Sequence, residues 1–160
     1  MRNPTKPVKK DAENLRTNEK KWSKTLMAAG WNVIPNILIE KQASLGLDAL
    51  DMNIILHLSH YWWQPDNLPH PAVGTIAKAI GVTPRTVQKR ITALQDLKLI
   101  KREERRYTKQ GSVTNRYDFS GLIEAATPFA KEKIKEIEVA TKAKRERVAR
   151  KKPRLVVDND

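Results

Sequence analysis

Two short apolar segments joined by a tight turn constrain the fold of this chain more than any other feature. The first segment, residues 73–80, ends at Gly81, where a turn between helices needs a positive φ. The second is predicted to begin at Thr83-Pro84, because a hydroxyl N-cap there precedes a proline at the first helical position. Its apolar residues repeat at helical spacing and form one stripe, namely Val87, Ile91 and Leu94. The pattern predicts two helices packed across a turn.

Another helix precedes this pair, and a hairpin follows it. Asp48 can cap a helix over residues 49–61, whose apolar side chains recur at intervals of three and four, and the prolines within 65–71 then enforce a loop. After the third helix the period changes. A charged segment, 101–107, leads to a glycine-containing tip, and polar and apolar residues then alternate over 113–119. This change of period predicts a two-stranded hairpin.

The order of these elements, three helices followed by a hairpin, is that of a winged helix-turn-helix. The predicted fold is therefore mainly α with a small β hairpin, and a long C-terminal helix follows the winged helix-turn-helix. The lysine- and proline-rich beginning predicts a flexible basic arm over residues 1–20. We place the winged helix-turn-helix domain with its N-terminal extension at 21–126 and a basic helical extension, beginning with a restart or kink at Thr127-Pro128, at 127–152. A frayed tail is predicted at 153–160.

The balance of charge indicates the kind of partner. The chain carries 31 Lys and Arg residues against 18 Asp and Glu, a formal net charge of +13, which favours nucleic acid ahead of an anionic membrane surface. It has no cysteine, which excludes disulfides, thiolate nucleophiles and cysteine-based metal sites. Its apolar runs are too short to span a membrane, and its basic start lacks the apolar stretch of a signal peptide. We expect a cytoplasmic protein associated with the nucleoid.

The stretch IAKAIGVTPRTVQKRITALQDLKLI resembles the helix-turn-helix of DNA-binding proteins from bacteria, phages and plasmids. Over residues 45–122, with SHYWW and NRYDFSGLI, the chain is similar to helix-turn-helix proteins of phages, plasmids and integrated elements, some of them replication initiators. The resemblance implies binding to double-stranded DNA. One position departs from the family pattern, because Lys98 stands where a glycine usually precedes the leucine that enters the wing. A left-handed conformation would cost lysine about 1 to 2 kcal/mol, so the helix is predicted to end differently or to extend.

The face of the third helix opposite its apolar stripe carries the residues expected to read DNA. Advancing 100° per residue from Val87 places four polar side chains on that face, with Thr86 beside them: Arg85, Gln88, Lys89 and Thr92. Arginine and lysine can donate to guanine, glutamine can pair with adenine, and threonine can touch a thymine methyl group or a phosphate. The alternative is an ordinary solvated helix face. The turn before the helix and the hairpin after it favour recognition.

The hairpin is strongly basic and is predicted to act as a wing. The expected contacts with phosphate or the minor groove lie nearest its tip, at Arg105, Arg106 and Lys109, with Arg116 on the second strand. The alternative is that these charges only keep an exposed strand from pairing with other chains.

Two further groups of residues bear on whether the protein forms a homodimer. In the last helix, six residues follow the spacing of a coiled-coil seam: Ala130, Ile134, Ile137, Thr141, Lys144 and Val148. Only three of them are strongly apolar, so this helix can also cover its own domain or lie along DNA phosphates. Near the N-terminus, Trp22, Met27, Trp31 and Ile34 can form a dimer contact or complete the core. The sequence leaves these alternatives open.

An enzymatic site is not indicated, and no cofactor or bound metal is expected. His57, His60 and His70 have only Asp66 nearby as a further ligand, so a metal site would be incomplete. The six glycines are isolated, which excludes a phosphate-binding loop and a dinucleotide fingerprint. The aromatic residues at 61–63 can stack on single-stranded DNA or close the core. Core closure is favoured, and an exposed pair of tryptophans would support stacking.

The leading hypothesis is a sequence-specific double-stranded DNA-binding protein that regulates transcription in a phage, plasmid or integrated element. A replication initiator or replication-accessory protein is the first alternative, and a module that binds an acidic protein partner is the second. An inverted repeat beside the gene would favour regulation, whereas direct repeats in an AT-rich origin would favour initiation.

Overall fold

The computed structural model describes residues 9–107 and 111–150. Its elements follow the predicted order of a winged helix-turn-helix. They are α1 (Lys9–Trp22), α2 (Lys24–Ala28), α3 (Asn36–Glu40), α4 (Ala49–His60), α5 (Val73–Ile80), α6 (Pro84–Asp96), β1 (Lys101–Tyr107), β2 (Gly111–Asp118) and α7 (Ser120–Arg150). Strands β1 and β2 pair antiparallel, from Lys101 opposite Asp118 to Tyr107 opposite Gly111. The predicted fold class is confirmed.

Helix α4 lies at the centre of the core. A capping box begins it, because the Asp48 carboxylate accepts from the Asp51 N–H at 2.8 Å and the Asp51 carboxylate accepts from the Asp48 N–H at 3.1 Å. Ile54, Ile55 and Leu58 are buried and belong to one apolar cluster with residues of α5, α6, β2 and α7. The predicted cap and apolar stripe of this helix are confirmed.

Helices α5 and α6 form the predicted helix-turn-helix. Gly81 ends α5 with a φ of 81°, and the N–H groups of Gly81 and Val82 donate to the Ala77 carbonyl at 2.9 and 3.0 Å. The Thr83 hydroxyl then accepts from the Thr86 N–H at 3.2 Å and caps α6. The end of α5 and the start of α6 therefore lie where their local chemistry predicts.

The end of α6 corrects the prediction made for Lys98. This lysine adopts the left-handed conformation, with a φ of 58°. Its N–H donates to the Gln95 carbonyl at 2.8 Å, and the Leu99 N–H donates to the Leu94 carbonyl at 3.0 Å, which are the two bonds of a Schellman motif. The helix ends as it would with glycine, because these two bonds and the burial of Leu99 offset the strain in lysine.

The turn at Lys98 packs directly against the start of α7. The Leu122 N–H donates to the Leu99 carbonyl at 2.8 Å. A Cβ atom added at Gly121 would overlap the Lys98 carbonyl oxygen and lie 3.0 Å from its carbon. Glycine at 121 is therefore required, because two backbone segments meet there.

The N-terminal extension differs from the predicted flexible arm. Helix α1 extends over Lys9–Trp22, because most residues in this segment have high helix propensity and can form a helix without burying a face. Ser23, with a φ of 79°, separates α1 from α2. Residues 1–8 of the predicted arm and the whole of the predicted tail, 153–160, lie outside the described residues.

Helix α7 is continuous over 31 residues, where a restart or kink at Thr127-Pro128 was expected. Proline removes one backbone hydrogen bond. Ala126 and Phe129 pack against the core on both sides of Pro128, and this packing holds the helix together. The predicted boundary at residue 127 therefore lies inside a helix, and the side chains at 134–150 are exposed. Within the described ranges, no helix has both the length and the apolar character needed to cross a membrane.

Candidate nucleic-acid interface

Helix α6 separates a buried apolar stripe from an exposed polar face. Its apolar side chains, Val87, Ile91 and Leu94, are at most 1% exposed. The opposite side carries four exposed side chains, which we call the recognition face: Arg85, Gln88, Lys89 and Thr92. The structure thus brings together four of the predicted site residues on the first turns of α6. Their contact with DNA stays a prediction.

The two threonines of α6 use their hydroxyl groups within the helix. The Thr86 hydroxyl lies 2.9 Å from the Thr83 hydroxyl at the N-cap, and its side chain is half-buried. The Thr92 hydroxyl donates to the Gln88 carbonyl at 3.0 Å, so its hydrogen is used within the helix, while its methyl group and the acceptor capacity of its oxygen remain for a partner. Thr86 therefore supports the start of the helix, whereas Thr92 can offer an apolar contact to a thymine methyl group.

Arg90, which the sequence did not single out, orients α6 against α4. Its guanidinium lies 2.6 Å from the Asp48 carboxylate and 3.7 Å from that of Asp51. The hydrogen bond from the Asp51 N–H, helped by Arg90, lowers the pKa of Asp48, whereas burial raises the pKa of Asp51. The capping residues of α4 thus also hold the recognition helix in place. The acidic pair was visible in the sequence, but its partner lies about forty residues further along the chain.

One arginine of the wing makes hydrogen bonds within the hairpin. The Arg105 guanidinium lies across the hairpin, donating to the Thr114 carbonyl at 2.8 Å and to the Thr114 hydroxyl at 3.1 Å. Arg116 is exposed and lies opposite Glu103 in the strand register, and Arg106 lies opposite Ser112. The predicted contact Lys109 lies outside the described residues. Arg105 is therefore partly committed to the hairpin, and Arg116 is the exposed arginine of β2.

The base of the wing is anchored to the core. The Tyr117 N–H donates to the Pro69 carbonyl at 2.9 Å, which joins β2 to the loop between α4 and α5. The Tyr117 side chain is 1% exposed, and this burial raises the pKa of its hydroxyl. These contacts fix the base of β2 against the core.

The aromatic run after α4 divides between core and surface. Trp62 stacks on Phe119, with ring centroids 5.5 Å apart, and closes the core as predicted. Trp63 does not, because 66% of its surface is exposed; its ring lies edge-on to the ring of His60, with the centroids 5.9 Å apart. Over residues 9–107 and 111–150, no three His, Asp or Glu side chains come together as a metal site would need.

The two groups considered for dimer contacts remain largely uncovered in the described chain. On α7, Lys133 pairs with Glu40 of α3, so the helix covers its own domain only up to this point. Ile134, Ile137 and Val148 lie beyond that pair and are more than half exposed. Near the N-terminus, Trp22 and Trp31 are also exposed, whereas Met27 and Ile34 are half-buried. A homodimer stays a prediction.

Comparison with known proteins adds the family. The model of the DnaD N-terminal domain matches residues 34–137, which contain the whole winged helix-turn-helix. Among solved structures, YusO protein from Bacillus subtilis is 13% identical, with a TM-score of 0.38, over 92% of this chain and 100% of that one. The multiple antibiotic-resistance repressor (MarR) from Listeria monocytogenes 4b F2365 is 20% identical, with a TM-score of 0.39, over 90% and 92%. No curated protein matches the sequence.

Proposed function

Because this chain belongs to the DnaD N-terminal domain family, whose proteins are non-enzymatic and have a DNA-binding or replication-related role, we propose that it binds double-stranded DNA through the recognition face and acts in DNA replication. Family membership gives the general role. We propose in addition that the DNA bound is double-stranded, that the recognition face binds it, and that the protein acts in replication.

The recognition face carries this proposal. Residues 84–95 contain no acidic side chain, so Arg85 and Lys89 meet no opposing charge along the first turns of α6. The positive end of the helix dipole lies at the same end of α6 and adds to the attraction for phosphate. Gln88, between the two cations, adds an amide that can pair with an adenine edge. Cations flanking a base-reading amide suit the major groove of a duplex.

The wing supports the same surface. Arg116 is exposed on β2, and the base of that strand is fixed against the core. Phosphate contacts from a wing position a protein on DNA without reading sequence. The net charge of +13 adds a general attraction for the duplex and predicts strong dependence on salt. Association with the nucleoid is part of the same proposal.

Transcriptional regulation is the second candidate function, and the side-chain types on α6 suit it as well. Arg85 and Gln88 can make bidentate contacts with guanine and adenine, which a protein that only gripped phosphates would not need. Footprinting on the DNA around the gene separates the two roles. Protection of an inverted repeat at a promoter would favour regulation, whereas protection of direct repeats in an AT-rich origin would favour replication. Either proposal is compatible with a protein that is encoded by a phage, plasmid or integrated element.

Fluorescence anisotropy with labelled duplexes tests duplex binding. We expect log affinity to fall with log salt at a slope of about −0.9 for each phosphate contacted. Arg85→Ala should weaken the preferred site by about 1 to 3 kcal/mol and relax base choice at one position. Lys135→Ala, which removes one exposed positive charge away from the recognition face, controls for the general loss of charge and should leave base choice unchanged. A flat salt response would contradict duplex binding.

Two further variants separate base reading from positioning and from folding. Arg106→Ala should weaken all duplexes nearly equally if this wing residue meets phosphate. Val87→Ala should lower thermal stability before it alters base preference, because it opens the packing of α6. If base preference survives Arg85→Ala and disappears in Arg106→Ala, the wing and not α6 reads the sequence.

A further inference from the structure

Three tryptophans of the N-terminal half are left on the surface. The exposed fractions are 62% for Trp22, 53% for Trp31 and 66% for Trp63. Tryptophan carries the largest apolar area of any side chain, and it is usually covered in part when no partner is needed. Three exposed indoles in a small domain therefore call for a ligand or partner.

The three indoles line two adjoining grooves. Trp31 and Trp63 face a groove of about 580 Å³ that also touches His60 and Met27. Trp22 and Trp31 face a second groove of about 560 Å³, which shares Met27 with the first. Because Trp31 lines both, the grooves form one surface with the three tryptophans along it. We call this surface the tryptophan groove.

The groove is held in place by contacts from α4. The Asn32 side-chain amide donates to the Ser59 hydroxyl at 2.8 Å, and that hydroxyl donates to the Leu56 carbonyl at 2.9 Å. These bonds fix the extended segment that carries Trp31 against the end of α4, next to Trp63. Gly30, with a φ of 120°, turns the chain into this segment. The separation of Trp31 and Trp63 is thus set by hydrogen bonds within the fold.

Basic residues surround Trp22 in the sequence, next to residues that line the groove. Lys20, Lys21 and Lys24 flank Trp22 in sequence and are exposed, and Arg16 lies one helical turn before Lys20. Glu19 is the acidic residue within this cluster and is half-buried. Protein–protein interfaces are enriched in tryptophan but depleted of lysine. A row of indoles beside exposed lysines therefore matches a polyanion with aromatic faces better than it matches a protein.

We propose that the tryptophan groove binds single-stranded nucleic acid, with unpaired bases stacked on Trp31 and Trp63 and the backbone near the lysines by Trp22. Stacking on aromatic side chains combined with a cationic path for the backbone is how proteins hold single strands without sequence preference. A duplex does not compete for this site, because its base faces are already stacked on one another. This site is separate from the duplex-binding face of α6.

The matched variants are the double replacements Trp31→Leu with Trp63→Leu and Trp31→Phe with Trp63→Phe. Leucine keeps an apolar side chain but removes the aromatic face, whereas phenylalanine keeps the face. Both positions are more than half exposed, so either pair should leave the core unchanged. Thermal unfolding followed by circular dichroism checks this for each variant.

Fluorescence anisotropy with labelled oligo(dT) of about 20 nucleotides measures binding, since such a strand exceeds one site. The leucine pair should weaken binding about 5- to 150-fold for each base that loses its stacking partner, and the phenylalanine pair should retain most of the affinity. Equal affinity in the leucine pair and the wild type overturns the proposal, as does an equal loss in both pairs. If the leucine pair does not fold, quenching of wild-type tryptophan fluorescence by oligo(dT) decides, and no quenching overturns the site.

Two controls separate this site from other surfaces. Arg85→Ala with Lys89→Ala should weaken duplex binding and leave oligo(dT) binding unchanged, so failure of the duplex proposal and failure of this one give different results. Sedimentation of the leucine pair tests a second copy of this chain as the occupant. A lower mass with unchanged oligo(dT) affinity would assign the groove to a homodimer and overturn the proposal.

Discussion

Replacing Gly121 by alanine tests the junction between the end of α6 and the start of α7. The added Cβ would overlap the Lys98 carbonyl oxygen, lie 3.0 Å from its carbon and lie 3.3 Å from the Leu99 carbonyl oxygen. All three atoms are backbone, so no side chain can rotate away to make room. Overpacking in a core costs about 1 to 3 kcal/mol, and a clash with backbone belongs at or above the upper end. We expect Gly121→Ala to lose about 3 kcal/mol.

Thermal and urea unfolding followed by circular dichroism measure this loss. At about 2 to 4 °C per kcal/mol for a chain of this size, the melting temperature should fall by about 6 to 12 °C. Gly74→Ala is the matched control, because it makes the same change in α5 with nothing within 4 Å of the added Cβ. That variant should gain about 0.5 to 1 kcal/mol from helix propensity. If the two alanine variants proved equally stable, the close backbone contact at Gly121 would be refuted.

Three other outcomes are expected. Lys98→Gly should raise stability by about 0.5 to 1 kcal/mol in urea unfolding, because it relieves a left-handed lysine, and a loss would show that the strain is not there. Asp48→Ala should cost about 1 kcal/mol near neutral pH, because the N-cap of α4 is lost. The pKa of Asp48 is lowered in the folded protein, so its stabilising effect is present above pH 3.8 and is lost as the pH falls below that value. The free energies of unfolding of the wild type and of Asp48→Ala should therefore become equal in acid. Ile134→Lys with Ile137→Lys should yield monomers in sedimentation if α7 forms a dimer seam, and an unaltered mass would refute that seam.

The elements that the sequence predicted correctly are those that neighbouring residues determine. Asp48, Gly81 and Thr83 each act on backbone groups within four residues, so their roles can be read from local spacing. The apolar stripe of α6 is equally local, and it defined the opposite face that carries Arg85 and Lys89. The recognition face could therefore be located from the sequence, as far as its position on the helix is concerned.

The sequence-based predictions failed where the local structure depends on residues distant in the chain, or where a different contribution to the free energy dominates. The turn at Lys98 packs against α7 only because Gly121, 23 positions later, has no side chain to meet the Lys98 carbonyl. The arm was predicted to be flexible because it lacks a buried face, yet helix propensity is enough for α1. The hydrogen bonds of Arg105 to Thr114 on the other strand were likewise not visible in the sequence, and its contact with DNA stays a prediction.

The tryptophans mark a further limit of sequence patterns. Spacing and hydrophobicity predict that Trp22, Trp31 and Trp63 are apolar contacts, but they do not reveal what covers them. Trp62 stacks on Phe119, which follows β2 and lies near the end of α4, whereas no segment of the described residues covers Trp63. Burial of such residues depends on the path of the whole chain, so Trp62 is partly buried while its neighbour Trp63 is exposed.

Helix α4 connects the two surfaces for which nucleic-acid binding is proposed. Its first turn pairs with Arg90 and orients α6, and its last turn holds the Trp31 segment through Ser59. Twelve residues rise about 18 Å, so the recognition face and the tryptophan groove are tied to opposite ends of one helix whose middle is buried. Their separation is then set by core packing and not by a linker. A duplex and an unpaired strand leaving it could be held at once, each contact raising the effective concentration of the other.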